Sequence, residues 1–196
     1  MAISQQGRVL IGAVLSGLAI GFALAPVTVN GVPLTFLLLQ NNSQVVRGWI
    51  WELATSIVIA PPFLTGLVDV SFNALALALL DGLFGVVYSR RQYYAVFLVT
   101  ALAGNIFSLA NGPKEVSFGA SGGIFGLLAG AVSYDFVTNR RFNPSLLLWF
   151  VAVFLVSSFL FSYVDWVAHA GGALVGLVLG YLVGSRREED AIAGAG

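Results

Sequence analysis

The sequence predicts an all-α integral membrane protein, a bundle of six transmembrane helices with an interfacial first loop. Three observations carry this. Of 196 residues, 58% are hydrophobic and only 9% charged, with a mean hydropathy of +0.92; a soluble domain carries roughly 25% charged residues. The apolar residues come in long blocks separated by short polar clusters, the pattern of repeated membrane spans. The arginines, finally, gather on alternate connections between those blocks.

Six blocks can each supply the ~20 residues that cross a ~30 Å hydrocarbon core as helix: 8–28, 67–88, 93–111, 117–137, 144–163 and 165–184. In the first, Arg8, an apolar run and Ala23-Leu24-Ala25 also resemble a cleavable signal peptide. The run is longer than a usual signal segment, and its removal would leave five spans, so it is read as a helix. Between the first two blocks lies the longest connection, about 29–66, which mixes Gln40-Asn41-Asn42-Ser43-Gln44 and Pro61-Pro62 with Leu37-Leu38-Leu39 and Trp49-Ile50-Trp51. An apolar segment broken by Pro and Gly suits the membrane interface better than a span. The sixth block closes a membrane domain of residues 1–185, followed by a short polar tail, 186–196, expected to be cytoplasmic and disordered.

Arg8, Arg90, Arg91, Arg140, Arg141, Arg186 and Arg187 fall on one side of this layout, and only Arg47 and Lys114 on the other. The positive-inside rule then puts both termini in the cytoplasm, with the long connection and the loop Asn111-Gly112-Pro113-Lys114-Glu115 facing outward. Zero net charge and the absence of a basic patch argue against nucleic acid as a partner. With no cysteine, disulfides, thiol catalysis and cysteine-held metals are excluded. With one histidine, imidazole chemistry must use His169.

Polar residues inside spans are costly and are therefore candidates for function. Ser121 lies in Phe118-Gly119-Ala120-Ser121-Gly122-Gly123, about five residues in from the preceding loop, and His169 lies four after Asp165. At ~1.5 Å per residue both sit some 6–8 Å below the outer surface. Gly122, Gly126 and Gly130 in one span, and Gly172, Gly176 and Gly180 in another, recur every four residues and let helix backbones approach. His169 shares a face with its stripe, whereas Ser121 is about 100° off its own. If the pair meets, neutral imidazole can take the serine proton, and the Ser121 N–H and the Asn73 amide are candidate donors to an oxyanion. The bland alternatives are a packing serine, an interface histidine and an asparagine bonded to a neighbouring helix.

At these residues the sequence resembles the rhomboid family of intramembrane serine proteases. Gly119-Ala120-Ser121-Gly122-Gly123-Ile124-Phe125-Gly126-Leu127 resembles its Gly-x-Ser-Gly nucleophile segment, and Ala168-His169-Ala170-Gly171-Gly172 with Gly176 its base-histidine segment. Ser71-Phe72-Asn73-Ala74-Leu75-Ala76-Leu77 is similar to the stretch holding an oxyanion asparagine, and Trp51-Glu52-Leu53-Ala54-Thr55-Ser56 to the Trp-Arg stretch of the first loop. The resemblance implies a rhomboid-like six-helix bundle, a Ser121–His169 catalytic dyad without a third acid, and an oxyanion hole of Asn73 and Ser121. It implies transmembrane protein substrates cut near the outer face, and no metal or organic cofactor. Three positions depart from the family pattern: Asp69 stands where a histidine is usual, Glu52 replaces the loop arginine, and Phe125 stands where some members have tyrosine. With Gly119, Asp69 and Phe125 are candidate modulators of the site. Asp69 and Glu52 favour a rival, a non-catalytic rhomboid-like protein that binds transmembrane helices. A small transporter would need inverted repeats, and the two halves show none.

Three acids remain. Asp165 could complete a Ser–His–Asp triad, but an acid at a helix start is read as a cap. Asp81, deep in a span, must pair inside the bundle or be protonated. Asp135 reads as an ordinary interface charge beside Arg140 and Arg141.

Overall fold

A computed structural model describes residues 2–159 and 164–194. The chain begins with helix α1 (Gln5–Leu24), then strands β1 (Thr28–Val29) and β2 (Val32–Pro33), a single 3₁₀ turn (Leu34–Leu37) and β3 (Gln40–Asn41). Short helices α2 (Asn42–Val46) and α3 (Glu52–Thr55) lead to α4 (Leu64–Val87) and α5 (Arg90–Ser108). After a second 3₁₀ turn and β4 (Val116–Ser117) come α6 (Ser121–Asn139), α7 (Pro144–Phe159) and α8 (Trp166–Ala193). Each expected block thus contains one long helix among the described residues; positions 160–163, expected to end the fifth block, lie outside them. By length and composition α1, α4, α5 and α8 can cross a membrane, α6 is rich in glycine, and α7 has 16 described residues.

Helix α6 is the axis of the bundle. Residues Gly122 to Val132 are all buried, as expected of a helix apolar on every side. It packs against α5 and, most extensively, α8. The two glycine stripes make the second contact. A Cβ on Gly172, Gly176 or Gly180 would run into the carbonyl of Gly122, Gly126 or Gly130 respectively, so the two parallel helices touch backbone to backbone with a constant register. On its other side, α6 sets Gly126 on the Thr100 side chain of α5 and Gly123 on Phe97. Lipid adds little drive for helix association, so this interlocking of small residues is what holds the three helices. The outer faces are apolar and bare: Leu79, Val86 and Leu148 are each about 70% exposed, as a lipid-facing surface should be.

One end of the bundle gathers the arginines. Arg140 bridges Glu188 at 2.6 Å, and Arg187 donates to the Val86 carbonyl and the Tyr134 hydroxyl while its guanidinium lies over the Tyr134 ring. Asp81 is buried at this end. It accepts the Ser4 N–H at 2.6 Å, the Ser4 hydroxyl at 2.7 Å and the Tyr93 hydroxyl at 3.4 Å. The expected internal pairing is therefore made by the N-cap of α1, whose hydroxyl also receives the Gly7 N–H. Helix α1 is in this way tied to both α4 and α5.

Two expectations need correction. Residues 186–193 of the tail are helical rather than disordered: α8 runs on to Ala193, with Glu188 held by Arg140. Span four does not begin at 117. Residues 116–117 form β4, paired antiparallel with β3 of the first loop (Gln40 opposite Ser117, Asn41 opposite Val116), and the helix starts at Ser121. The hairpin β1–β2, turned by Asn30 and Gly31 with positive φ, is of the Asn-Gly kind.

Candidate active site

The first loop is a framework of buried polar groups rather than a floating cover. Gln40 Nε2 donates to Asn42 Oδ1 at 2.8 Å and to the Asn105 carbonyl at 2.9 Å, and Asn42 Nδ2 donates to the carbonyls of Ser108 and Gly112. Asn105 Nδ2 donates to the Leu53 carbonyl at 2.7 Å and to Ser56 Oγ at 3.0 Å. The Ser56 carbonyl in turn accepts the Gly119 N–H at 2.9 Å. Through this chain the loop fixes the turn that delivers Ser121. Gly119 has φ +113 and lies against the Asp69 carboxyl, a position that a side chain would both strain and fill.

Glu52, where a cation was expected, points inward and is fully buried. Its Oε2 accepts the Asn41 N–H at 2.8 Å; among the described residues, its Oε1 and Gln40 Oε1 are the buried side-chain atoms without a partner. Burial pushes the Glu52 carboxyl above its ordinary 4.5, against the lowering effect of the Asn41 N–H. A folded-state value above the unfolded one means that folding favours the protonated acid. This contribution is fully present below the unfolded value and is lost as pH rises through the folded one. Thermal unfolding followed from about pH 4 to about pH 8 should therefore show the wild type losing stability relative to Glu52→Gln as pH rises. Parallel curves would show that Glu52 ionises without cost.

At the head of α6, Ser121 Oγ lies 2.8 Å from Nε2 of His169. The 100° offset is bridged because Gly172, one turn after His169, rests on the Gly122 carbonyl. Helical side chains lean toward the N-terminus, so the imidazole projects over the first turn of α6. The ring is buried, 4% exposed. Phe125 covers one face, with centroids 4.5 Å apart and planes at 38°, and Phe154 of α7 approaches at 6.3 Å. The other ring nitrogen, Nδ1, is 2.8 Å from Ser158 Oγ on α7.

Asp165 does not join this pair. It accepts the Ala168 N–H at 3.0 Å, the Asn111 amide at 2.7 Å and the Ser108 hydroxyl, which makes it the cap of α8 and its tie to α5. Asp135, expected near two arginines, accepts the Asn139 amide instead. Asn73, buried on α4, donates from Nδ2 to Asp69 Oδ2 at 2.8 Å. An amide has two such hydrogens, so one remains for another acceptor. Asn73, Ser121 and His169 all line one cavity of about 750 Å³, together with Asp69, Ser157 and apolar residues of α4, α6 and α7 such as Leu79, Ile124, Trp149 and Val153. A second, polar pocket of about 30 Å³ touches Ser121 and His169 from the loop side, beside Gly119 and Asp165.

Ser121 and His169 thus meet at the heads of two glycine-packed helices. Comparison with known proteins gives the family. The Rhomboid domain model matches residues 47–186. The chain belongs to the rhomboid family. It is 24% identical over 151 residues to the "Putative rhomboid protease YdcA" of Bacillus subtilis, a match spanning 75% of this chain and 74% of that protein. It is 34% identical over 94 residues to "RHOMBOID-like protein 6, mitochondrial" of Arabidopsis thaliana, covering 45% of this chain but only 30% of the plant protein's length. Two parts of this rhomboid's site were missed in the sequence. Asn105 is an intramembrane amide of the kind that flags function, and its three bonds build the loop framework. Ser158 sits in an apolar run beside Ser157 and carries no signal until α7 is packed against α8.

Proposed function

We propose that this rhomboid is an intramembrane serine endopeptidase that cuts transmembrane proteins with Ser121 as nucleophile and His169 as general base. The observation that carries the reading is the 2.8 Å contact between Ser121 Oγ and His169 Nε2. In this mechanism His169 takes the hydroxyl proton as Ser121 Oγ attacks the scissile carbonyl carbon. The Ser121 N–H, first in its helix and so without a carbonyl one turn back, and the free hydrogen of the Asn73 amide stabilise the oxyanion. His169 then returns the proton to the leaving amine, and water attacks the acyl-enzyme by the same route in reverse. Six spans, an interfacial first loop, cytoplasmic termini and a site opening to the outer face complete the proposal. The arginines gathered at the end opposite the loop support that orientation. The largely apolar cavity between α4 and α7 would take the substrate segment, its walls suiting the apolar side chains of a membrane helix.

A second reading is favoured by one observation. Asp69 occupies half of the Asn73 amide, and an ionised carboxylate there opposes an oxyanion, as a catalytically weak or inactive rhomboid-like binder of transmembrane helices would allow. Reaction of the purified protein with a fluorophosphonate decides between them without knowledge of a substrate. Wild type should be labelled and Ser121→Ala should not. A folded wild type that takes no label would favour the binder.

A further inference from the structure

Helix α7 buries one side chain among its described residues, Ser158, which is 3% exposed, and its hydroxyl oxygen lies 2.8 Å from His169 Nδ1. Among the described residues no other polar side chain bonds that nitrogen: Phe125 and Phe154 flank the ring, and Asp165 is engaged with Ser108, Asn111 and the Ala168 N–H. The neighbouring Ser157 is turned to the Phe154 carbonyl. An imidazole with two hydroxyls, one at each nitrogen, is a two-state device. With the proton on Nδ1, Ser158 accepts and Nε2 is free to receive the Ser121 proton; with the proton on Nε2, Ser121 is itself the acceptor and cannot be activated. In serine hydrolases with a triad, a carboxylate selects the first state.

We propose that Ser158 is the positioning residue of His169: it accepts a hydrogen bond from Nδ1–H and so holds the ring in the tautomer whose Nε2 faces Ser121. The selection is made by a neutral oxygen carried on α7, the helix that also walls the apolar cavity. Its catalytic consequence rests on the protease reading, but the tautomer does not, and the two can be tested apart.

The chain has a single histidine, so ¹⁵N-histidine labelling of the full protein in nanodiscs gives two ring nitrogens and no overlap. Wild type should show Nδ1 protonated and Nε2 bare. Ser158→Ala should move the proton to Nε2, and Ser158→Thr, which keeps the hydroxyl, should retain the wild-type spectrum. Fluorophosphonate labelling should slow about 10-fold or more in Ser158→Ala, the loss seen when the partner orienting a metal-bound histidine is removed, and recover in Ser158→Thr. A proton on Nε2 in wild type, or a Ser158→Ala spectrum identical to wild type, overturns the proposal. If Ser158→Ala does not fold, Ser158→Cys replaces it, since sulfur is a weak acceptor and should weaken the Nδ1–H preference; an unchanged spectrum again overturns the assignment. A wild type with the expected tautomer but no labelling would sink the protease reading and leave the role of Ser158 standing.

Discussion

Replacing His169 with alanine should lower the turnover of a single-span test substrate by about 10⁴-fold or more, with the protein still folded. The size follows from the chemistry. A serine hydroxyl is a weak nucleophile at neutral pH, and with one histidine in the chain no second imidazole can replace the base. What would survive is the contribution of the oxyanion donors and of binding, which neither Ser121→Ala nor His169→Ala removes. For the same reason the two losses should not add: Ser121→Ala/His169→Ala should be about as slow as either single variant. Cleavage measured in nanodiscs, with thermal unfolding run in parallel, checks this. Activity in His169→Ala within a few-fold of wild type would mean that the 2.8 Å contact is structural.

The second large effect is on stability. Gly176→Val should leave little folded protein, because its first added carbon meets the Gly126 carbonyl and the obstacle is backbone rather than a movable side chain. Overpacking of a well-filled core costs about 1–3 kcal/mol where neighbours can yield; here α6 is clamped on its other side by Thr100 and Phe97, so the upper end or more is expected. Gly12→Ala on α1 is the matched control. Nothing lies within 4 Å of its added carbon, and alanine favours helix by up to about 1 kcal/mol, so its melting temperature should hold or rise. Equal yields and melting temperatures for Gly176→Val and wild type would show that the helix contact is looser than described.

The sequence was most legible where the physics is local. Apolar length located the helices, and the four-residue glycine spacing identified the α6–α8 contact, because both depend on neighbours within one segment. The Ser121–His169 pair was legible in equal depth on two spans and in the family resemblance, whereas the glycine spacing alone left Ser121 about 100° off its own stripe. What escaped was set by distant pairing. Strand β3 is two residues, and its partner Val116–Ser117 lies more than seventy positions on, so no period announces it; that pairing is why α6 begins at Ser121 instead of 117. Glu52, read as the replacement of an arginine on the interfacial loop, is a buried acceptor for the Asn41 N–H. Ser157 and Ser158 have the same hydropathy and differ only in the side of α7 they occupy, which depends on how that helix leans on its neighbours. The tail looked disordered by charge content, yet Glu188 and Arg140 meet across two helices.

Because Gly122, Gly126 and Gly130 meet Gly172, Gly176 and Gly180 with no side chains in between, the spacing of α6 and α8 has no rotamers to adjust. The gap between hydroxyl and imidazole is thus inherited from a seam that thermal motion scarcely stretches. Helix α7, by contrast, leans on the others through a few side chains, Leu146, Phe150, Val153, Phe154 and Ser158 among them. Breathing of the molecule should concentrate there, and amide exchange along Pro144–Phe159 should outpace exchange along Ser121–Asn139, leaving a stiff Ser121–His169 pair beside a pliable wall.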